Sequence, residues 1–132
     1  MYVLLLETKT LIKHLSEIIE KHRANAKFYD EAFRNCSNVT PVLENPDGKS
    51  AYWLYTIHID NRDELMAKLK ELNIMSSKVH ARNDTHSMFA EFKAELPGVE
   101  QFNRTHLCIP VGWWVTKEQR EYIAEQVIKY AK

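Results

Sequence analysis

The chain has few of the residues that build tight turns, crosslinks or metal sites. Its 132 residues include three glycines, four prolines and two cysteines. A loop that cradles a phosphate needs closely spaced glycines, and Gly48, Gly98 and Gly112 are far apart. Cys36 and Cys108 match no paired metal-ligand spacing and are predicted to be small buried residues in a reducing compartment. The composition thus favours neither a glycine-rich phosphate loop nor a cysteine-based metal site.

The chain also has no excess charge of one sign. Eighteen Lys and Arg residues balance eighteen Asp and Glu residues, so the formal net charge is zero. A nucleic-acid-binding protein normally shows a basic excess on one face, so we expect no nucleic-acid partner. The apolar run Tyr2–Leu6 is much too short for a membrane span or a signal sequence. The sequence therefore predicts a cytoplasmic protein with no membrane partner.

What the chain does contain is enough apolar material for one core. Hydrophobic residues make up 45% of it and aromatic residues 11%. From Thr10 onward apolar residues recur at steps of three and four, which predicts an unusually long helix over about residues 9–35. Tyr2–Leu6 is interpreted as a short strand or a linker. Residues 1–12 are accordingly assigned to an N-terminal extension or linker, and residues 13–132 to a single domain.

The rest of the chain predicts short strands that alternate with helices. Strands are expected over residues 51–60, 74–79 and 107–110. A helix begins after Asp60 or Asn61, with Glu64 placed to complete a capping box, and Thr116 to Gln119 forms the capping box of the last helix. This order predicts an α+β fold, with a small antiparallel or mixed sheet of about three strands and helices packed on one face.

Polar side chains that can bind anions or transfer protons are concentrated between Lys78 and Phe89. His80, Arg82, Asn83 and His86 are the candidate site residues, since a guanidinium pairs with phosphate or carboxylate and a histidine can hydrogen-bond a hydroxyl or relay a proton. The alternative is a polar loop whose histidines merely satisfy backbone groups. A metal site built from His80, Asp84 and His86 is disfavoured because no helical histidine pair or thiolate pattern supports it.

Aromatic pairs outside this stretch are interpreted as structural. Trp113 and Trp114, like Tyr52 and Trp53, are expected to act as core plugs or interface anchors and not as a stacking platform for a ligand. Lys49 and Lys78 have no recognisable desolvating neighbours, so neither is expected to form a Schiff base.

Several segments together resemble a known family. The segments are HLSEIIEKHRANAKFY at residues 14–29, SAYWLY at 50–55 with DNRDEL at 60–65, LPGVE at 96–100, LCIP at 107–110 and the helix from Thr116. In this order and spacing they resemble the C-terminal domain of the DegT/StrS-type, pyridoxal-phosphate-dependent sugar-nucleotide aminotransferases. The resemblance covers roughly residues 13–132.

The resemblance implies one part of an enzyme. Members of that family are fold-type I enzymes whose larger N-terminal domain holds pyridoxal phosphate on a lysine, and this sequence contains no counterpart of that lysine motif. It therefore implies a small domain that binds no cofactor and is inactive by itself. His80, Arg82, Asn83 and His86 would face a sugar-nucleotide substrate, beside a large domain supplied in cis or in trans, or within a homo-oligomer. Many relatives place a tyrosine and prolines where residues 81–84 lie here, which leaves dehydration of a keto-deoxy sugar open alongside amino transfer.

Two other hypotheses remain open at this point. The chain could be a stand-alone binding or assembly module that pairs with itself or with a separately encoded large domain, using the first helix and the Trp113-Trp114 loop. It could also be a small enzyme with His80 and His86 as acid and base.

Overall fold

A single long helix begins the structure. The computed structural model describes the backbone of residues 2–132 and the side chains of residues 12–132. Helix α1 spans Tyr2–Phe33 without a break, so the predicted long helix is confirmed and begins earlier than expected. Tyr2–Leu6 belongs to this helix and not to a strand. Met1 lies outside the described residues, and the assignment of residues 1–12 as a separate extension stays a prediction.

The sheet has three antiparallel strands in the order β1-β2-β3. They are β1, Thr40–Pro41; β2, Tyr55–His58; and β3, His106–Ile109. The central strand pairs with both neighbours, and it places Tyr55 opposite Ile109 and His58 opposite His106. The predicted strands over 51–60 and 107–110 are thus confirmed at their centres.

The predicted strand over residues 74–79 is wrong. Within the described chain this segment makes a single bridge, Ser77 with Cys108, and β1 supplies the third strand instead. Too few residues of this segment are extended to form a strand. Ile74 still belongs to the end of the preceding helix, where its N–H donates to the Leu69 carbonyl. That helix, α2, spans Arg62–Glu71, and Asn73 ends it in the left-handed conformation at a φ of 58°.

The caps of α2 and of the last helix differ from each other. Helix α4 spans Lys117–Tyr130 and has the predicted capping box between Thr116 and Gln119. The predicted capping box of α2 is wrong, since Asn61 makes no side-chain cap. Asn61 instead donates to the Tyr130 carbonyl and accepts from the Lys132 N–H, so its amide joins α2 to the end of α4.

The core lies between the sheet and a layer of helices. Tyr55 and Ile57 project towards α1, where Tyr29 and Phe33 pack against the Tyr55 ring. Helix α4 packs against both α1 and α2. This layer and the three-stranded sheet confirm the predicted α+β fold. A further helix, α3, spans Pro97–Thr105 and covers the opposite face at the end of the central strand, with its Phe102 ring against His58.

None of the helices that the structure describes contains a stretch long and apolar enough to cross a membrane.

Candidate functional site

The loop that follows the Ser77–Cys108 bridge carries the candidate residues predicted from sequence. It contains two short 3-10 helices, Asn83–Thr85 and Ser87–Phe92. They are joined at His86, whose N–H donates to the Asn83 carbonyl at 3.1 Å. Because the loop makes few contacts with the core, most of its side chains face solvent.

Arg82 is held inside this loop by carboxylates of the chain itself. Its Nε and Nη2 donate to the two carboxylate oxygens of Asp84 at 2.8 and 2.5 Å, and its Nη1 lies 3.5 Å from the Glu100 carboxylate. The Arg82 and Asp84 side chains are only 14% and 17% exposed. This forked pairing raises the pKa of Arg82 and lowers the pKa of Asp84, since each charge stabilises the other. The Arg82 guanidinium is thus already engaged with two carboxylates, which works against its direct binding of a free anion.

The other three candidates lie on the exposed side of the loop. His80 contacts the edge of the Trp53 ring at 6.2 Å between centroids, while Asn83 and His86 are exposed. Within the described chain, no side-chain hydrogen bond or ion pair joins the four candidates to one another. They share a surface, not a contact network, and their part in substrate binding stays a prediction.

Apolar side chains surround these polar groups on the same surface. Met88 is 75% exposed and Phe92 is 71% exposed, although both lie among ordered turns. Trp53, Val79, Phe89, Leu96 and Val99 are also exposed large hydrophobic residues, and Trp53 contacts His80. Exposed apolar groups of this kind are typical of interaction surfaces and ligand-binding grooves. We call this group of residues, from Trp53 and Val79 to Val99, the apolar rim.

The loop that carries the two adjacent tryptophans is held in place by hydrogen bonds from helix α1. Asn25 of α1, which is 5% exposed, donates to the carbonyls of Val111, Gly112 and Val115 at 3.1–3.3 Å. Trp114 contacts the His22 ring edge-on at 6.1 Å and is 63% exposed. Of the two structural roles predicted for Trp113 and Trp114, that of core plugs is wrong because both rings are largely exposed, and that of interface anchors stays a prediction.

Sequence reasoning missed a second group of polar residues, at the opposite end of the sheet. His58 Nδ1 lies 2.8 Å from the Thr105 hydroxyl, and that hydroxyl donates to the Gln101 carbonyl at 2.9 Å. The sequence predicted only that His58 lies in the strand over residues 51–60. Nothing in the sequence paired it with Thr105, which is 47 residues away.

Neither group brings together the donors that a metal ion requires. Within residues 12–132, no three His, Cys, Asp or Glu side chains come close enough to hold one. The described lysines do not fit pyridoxal phosphate either, because none of them is buried and the cofactor-bearing amine needs a desolvated setting. Lys78, for example, is partly exposed and pairs with Asp63 at 3.4 Å.

Comparisons with known proteins converge on one family. The family model described as "DegT/DnrJ/EryC1/StrS aminotransferase family" matches residues 8–128. A search of curated proteins finds no match.

Solved structures give the same result. The sugar aminotransferase CalS13 from Micromonospora echinospora is 31% identical, with a TM-score of 0.86 over 90% of this chain and 32% of that one. AtS13 from Actinomadura melliaura is 29% identical, with a TM-score of 0.84 over 89% of this chain and 32% of that one. DesV from S. venezuelae, at 21% identity, shares the fold with a TM-score of 0.87 over 94% of this chain and 34% of that one.

The chain thus spans about a third of the length of the solved structures that it matches, which is consistent with a small C-terminal domain. The resemblance stated from sequence is confirmed: the chain belongs to the DegT/DnrJ/EryC1/StrS aminotransferase family.

Proposed function

We propose that this chain acts as the small C-terminal domain of a pyridoxal-phosphate-dependent sugar-nucleotide aminotransferase, or of a related keto-deoxy-sugar dehydratase. It contributes a substrate-facing surface, and a large domain supplied in cis or in trans holds the cofactor. The chain alone is then inactive. The observation that carries the proposal is the apolar rim beside His80 and His86 in a fold that matches about a third of a sugar aminotransferase.

The apolar rim supports docking of a second surface against the loop. Exposed aromatic and methionine side chains are costly to leave in water and are typical of interface cores. Docking there would bury Met88 and Phe92 and place His80 and His86 at the edge of the contact. Substrate would then bind in the cleft between the two surfaces, which is a common position for small-molecule sites.

The four loop residues take different roles in this proposal. His80, Asn83 and His86 are exposed and free to hydrogen-bond sugar hydroxyls or phosphate oxygens. Arg82 is already engaged, so it reaches a substrate anion only by exchanging a carboxylate. Glu100, with the longer contact of 3.5 Å, is the one that the anion would replace.

Pyridoxal phosphate supplies the electron sink when it is bound, and the described residues of this chain do not fit it.

The test is to incubate the purified chain with the cofactor, reduce the mixture with borohydride and map lysine adducts by mass spectrometry. We expect only scattered, substoichiometric labelling of surface lysines and no amino transfer from glutamate to a nucleotide-linked keto sugar. A stoichiometric adduct at one lysine, or turnover by the chain alone, would overturn the proposal.

A second arm tests the contribution of the loop. The chain is fused in place of the last third of a family member, and amino transfer is measured with the chain unchanged and with His80 and His86 both replaced by alanine. We expect turnover from the first fusion and at least a tenfold loss in the second, about 1.4 kcal/mol in transition-state binding. Equal turnover of the two fusions would show that the histidines do not serve the substrate.

A second candidate function is assembly of the chain with itself. Ile12 and Leu15 of α1 are exposed on the part of the helix that precedes its contact with α4, and the Trp113-Trp114 loop lies beside the same helix at His22. Sedimentation over a wide concentration range tests it. Reversible dimerisation that is lost on replacing Ile12 and Leu15 by lysine would support self-association, and a monomer at every concentration would exclude it.

A further inference from the structure

A polar cleft lies away from the candidate loop, between α3, the end of β2 and the segment before β1. Its volume is about 490 Å³, within the usual range for small-molecule sites. The cleft is lined by, among others, Asn38, His58, Gln101, Phe102, Thr105 and Lys132. No residue of the 78–92 loop lines the cleft, so the cleft is separate from the candidate site on that loop.

The hydrogen bonds around His58 are consistent with one tautomer. In it the Thr105 hydroxyl donates its proton to the Gln101 carbonyl, since a carbonyl can only accept. The same hydroxyl then accepts from His58, whose Nδ1 lies 2.8 Å away and carries the proton. Nε2 is then left with its lone pair. Within the described chain it has no hydrogen-bond partner, although it is not among the buried unpaired atoms, so a ligand can reach it as an acceptor.

The side chains that line the cleft carry little net charge. Burial, reinforced by the neighbouring His106, lowers the pKa of His58, so its ring is uncharged at neutral pH. The charged side chains on the lining are those of Lys132 and Asp60, which have opposite signs. The Lys132 ammonium also lies 3.6 Å from the Glu64 carboxylate. These features work against an anionic or a cationic ligand.

Besides the acceptor His58 Nε2, the cleft offers the aromatic ring of Phe102 and the amide of Asn38. Phe102 stacks on the fully buried His106 ring at 4.6 Å and 15°, and it meets His58 edge-on at 5.2 Å. The contacts with His106 and His58 hold the Phe102 ring in place. On the opposite side, Asn38 Oδ1 accepts from the Ser37 hydroxyl at 3.2 Å, which leaves the Asn38 NH₂ group as a donor.

We propose that this cleft binds a small neutral ring that bears several hydroxyl groups, such as a cyclic polyol or an uncharged sugar. One hydroxyl donates to His58 Nε2, a second accepts from the Asn38 amide, and the C–H face of the ring packs on Phe102. Hydroxyl groups satisfy both the acceptor and the donor, and the ring face suits the aromatic wall. The cleft thus recognises its ligand without charge.

The experiment is a nitrogen-15 NMR titration of the full chain at pH 7.5. Three neutral probes, myo-inositol, glucose and glycerol, are compared with inorganic phosphate. We expect at least one ring probe to shift His58 Nε2 and the amides of Asn38 and Gln101 saturably, with glycerol weaker and phosphate inert. Binding should weaken at least tenfold in His58→Phe and also in Asn38→Ala, an exposed position where folding is not at risk. His14→Phe on α1 is the matched control and should bind as the unchanged chain does.

Two outcomes would overturn the proposal. One is saturable binding of phosphate that Lys132→Ala abolishes, since that would make the cleft an anion site. The other is no saturable response to either ring probe in the millimolar range. Because neither measurement uses the cofactor or the large domain, the proposal stands or fails independently of the proposed aminotransferase role.

Discussion

Asn25 Oδ1 of α1 accepts a hydrogen bond of 3.0 Å from Arg120 Nη1 of α4, while the Nδ2 group of the same amide faces three carbonyls. One buried side chain thus joins the first helix, the last helix and the loop that carries the two tryptophans. The guanidinium of Arg120 lies over the Phe28 ring at 4.8 Å, which adds a cation–π contact to the same joint.

Asn25→Ala should destabilise the fold by about 2–4 kcal/mol, because it removes the side-chain donor to the carbonyls of Val111 and Val115 and the nearer acceptor of Arg120 Nη1. Urea denaturation measures the change as a lower midpoint with an unchanged slope. Asn25→Asp should also destabilise, since a carboxylate cannot donate to the carbonyls. Asn38→Ala, at an exposed position, is the matched control, and a loss no larger than that of the control would contradict the role given to Asn25.

Thr116→Ala should lower stability by about 1 kcal/mol, because the Thr116 hydroxyl accepts from the Gln119 N–H while Gln119 Oε1 accepts from the Thr116 N–H. Thr116→Ser keeps the hydroxyl and should retain most of the stability. The two urea midpoints, compared directly, separate loss of the cap from loss of the methyl group. Equal midpoints would mean that the cap contributes nothing here.

Gly112→Ala should move Trp114 without unfolding the chain. A Cβ at position 112 would overlap the far end of the Trp114 ring, which is exposed and free to turn away, so we expect a stability change within about 1 kcal/mol. The indole N–H resonance of Trp114 should shift and its contact with His22 should be lost.

Gly98→Ala is the control, since a Cβ there meets nothing within 4 Å. In a Trp114→Ala background, Gly112→Ala should have no further effect, and this non-additivity can be measured by a double-mutant cycle. Full additivity would show that the two residues do not interact.

Arg82→Ala should loosen the 78–92 loop while the core remains intact. With the fork between Arg82 and Asp84 removed, backbone amides of residues 83–92 should exchange with solvent several-fold faster, and amides of β2 and β3 should be unchanged. Glu100→Gln removes only the longer contact and should have a smaller effect. Hydrogen exchange followed by mass spectrometry measures both, and unchanged exchange in Arg82→Ala would show that the ion pair does not order the loop.

Stability should decrease as the pH falls from about 6.5, the ordinary pKa of histidine, towards the lowered pKa of His58. In that window the unfolded chain binds more protons at this residue than the folded chain does, so protonation favours unfolding. Above about 6.5 the group is neutral in both states and contributes no slope. Urea midpoints across this range, measured for the unchanged chain and for His58→Gln, isolate the effect from that of the other histidines. Parallel pH profiles would contradict it.

The elements that the sequence predicted well depend on short-range patterns. The apolar spacing of α1 and the capping box at Thr116 involve residues three or four positions apart, so both can be recognised without a structure. The predicted strand over 74–79 is wrong because a run of apolar residues does not specify whether a partner edge is available.

The sequence by itself determined helices α1, α2 and α4, strands β2 and β3, and the family resemblance, because these depend on local spacing and on segments that can be compared directly. Only the tertiary structure decided the long-range contacts of Asn25, Arg82 and His58. Asn25 contacts carbonyls at least 86 residues away on the tryptophan loop, and His58 contacts Thr105, 47 residues away. Arg82 contacts Glu100 in addition to its near neighbour Asp84. Such contacts follow from the packing of helices on the sheet, which brings distant parts of the chain together. Local sequence patterns therefore do not reveal them.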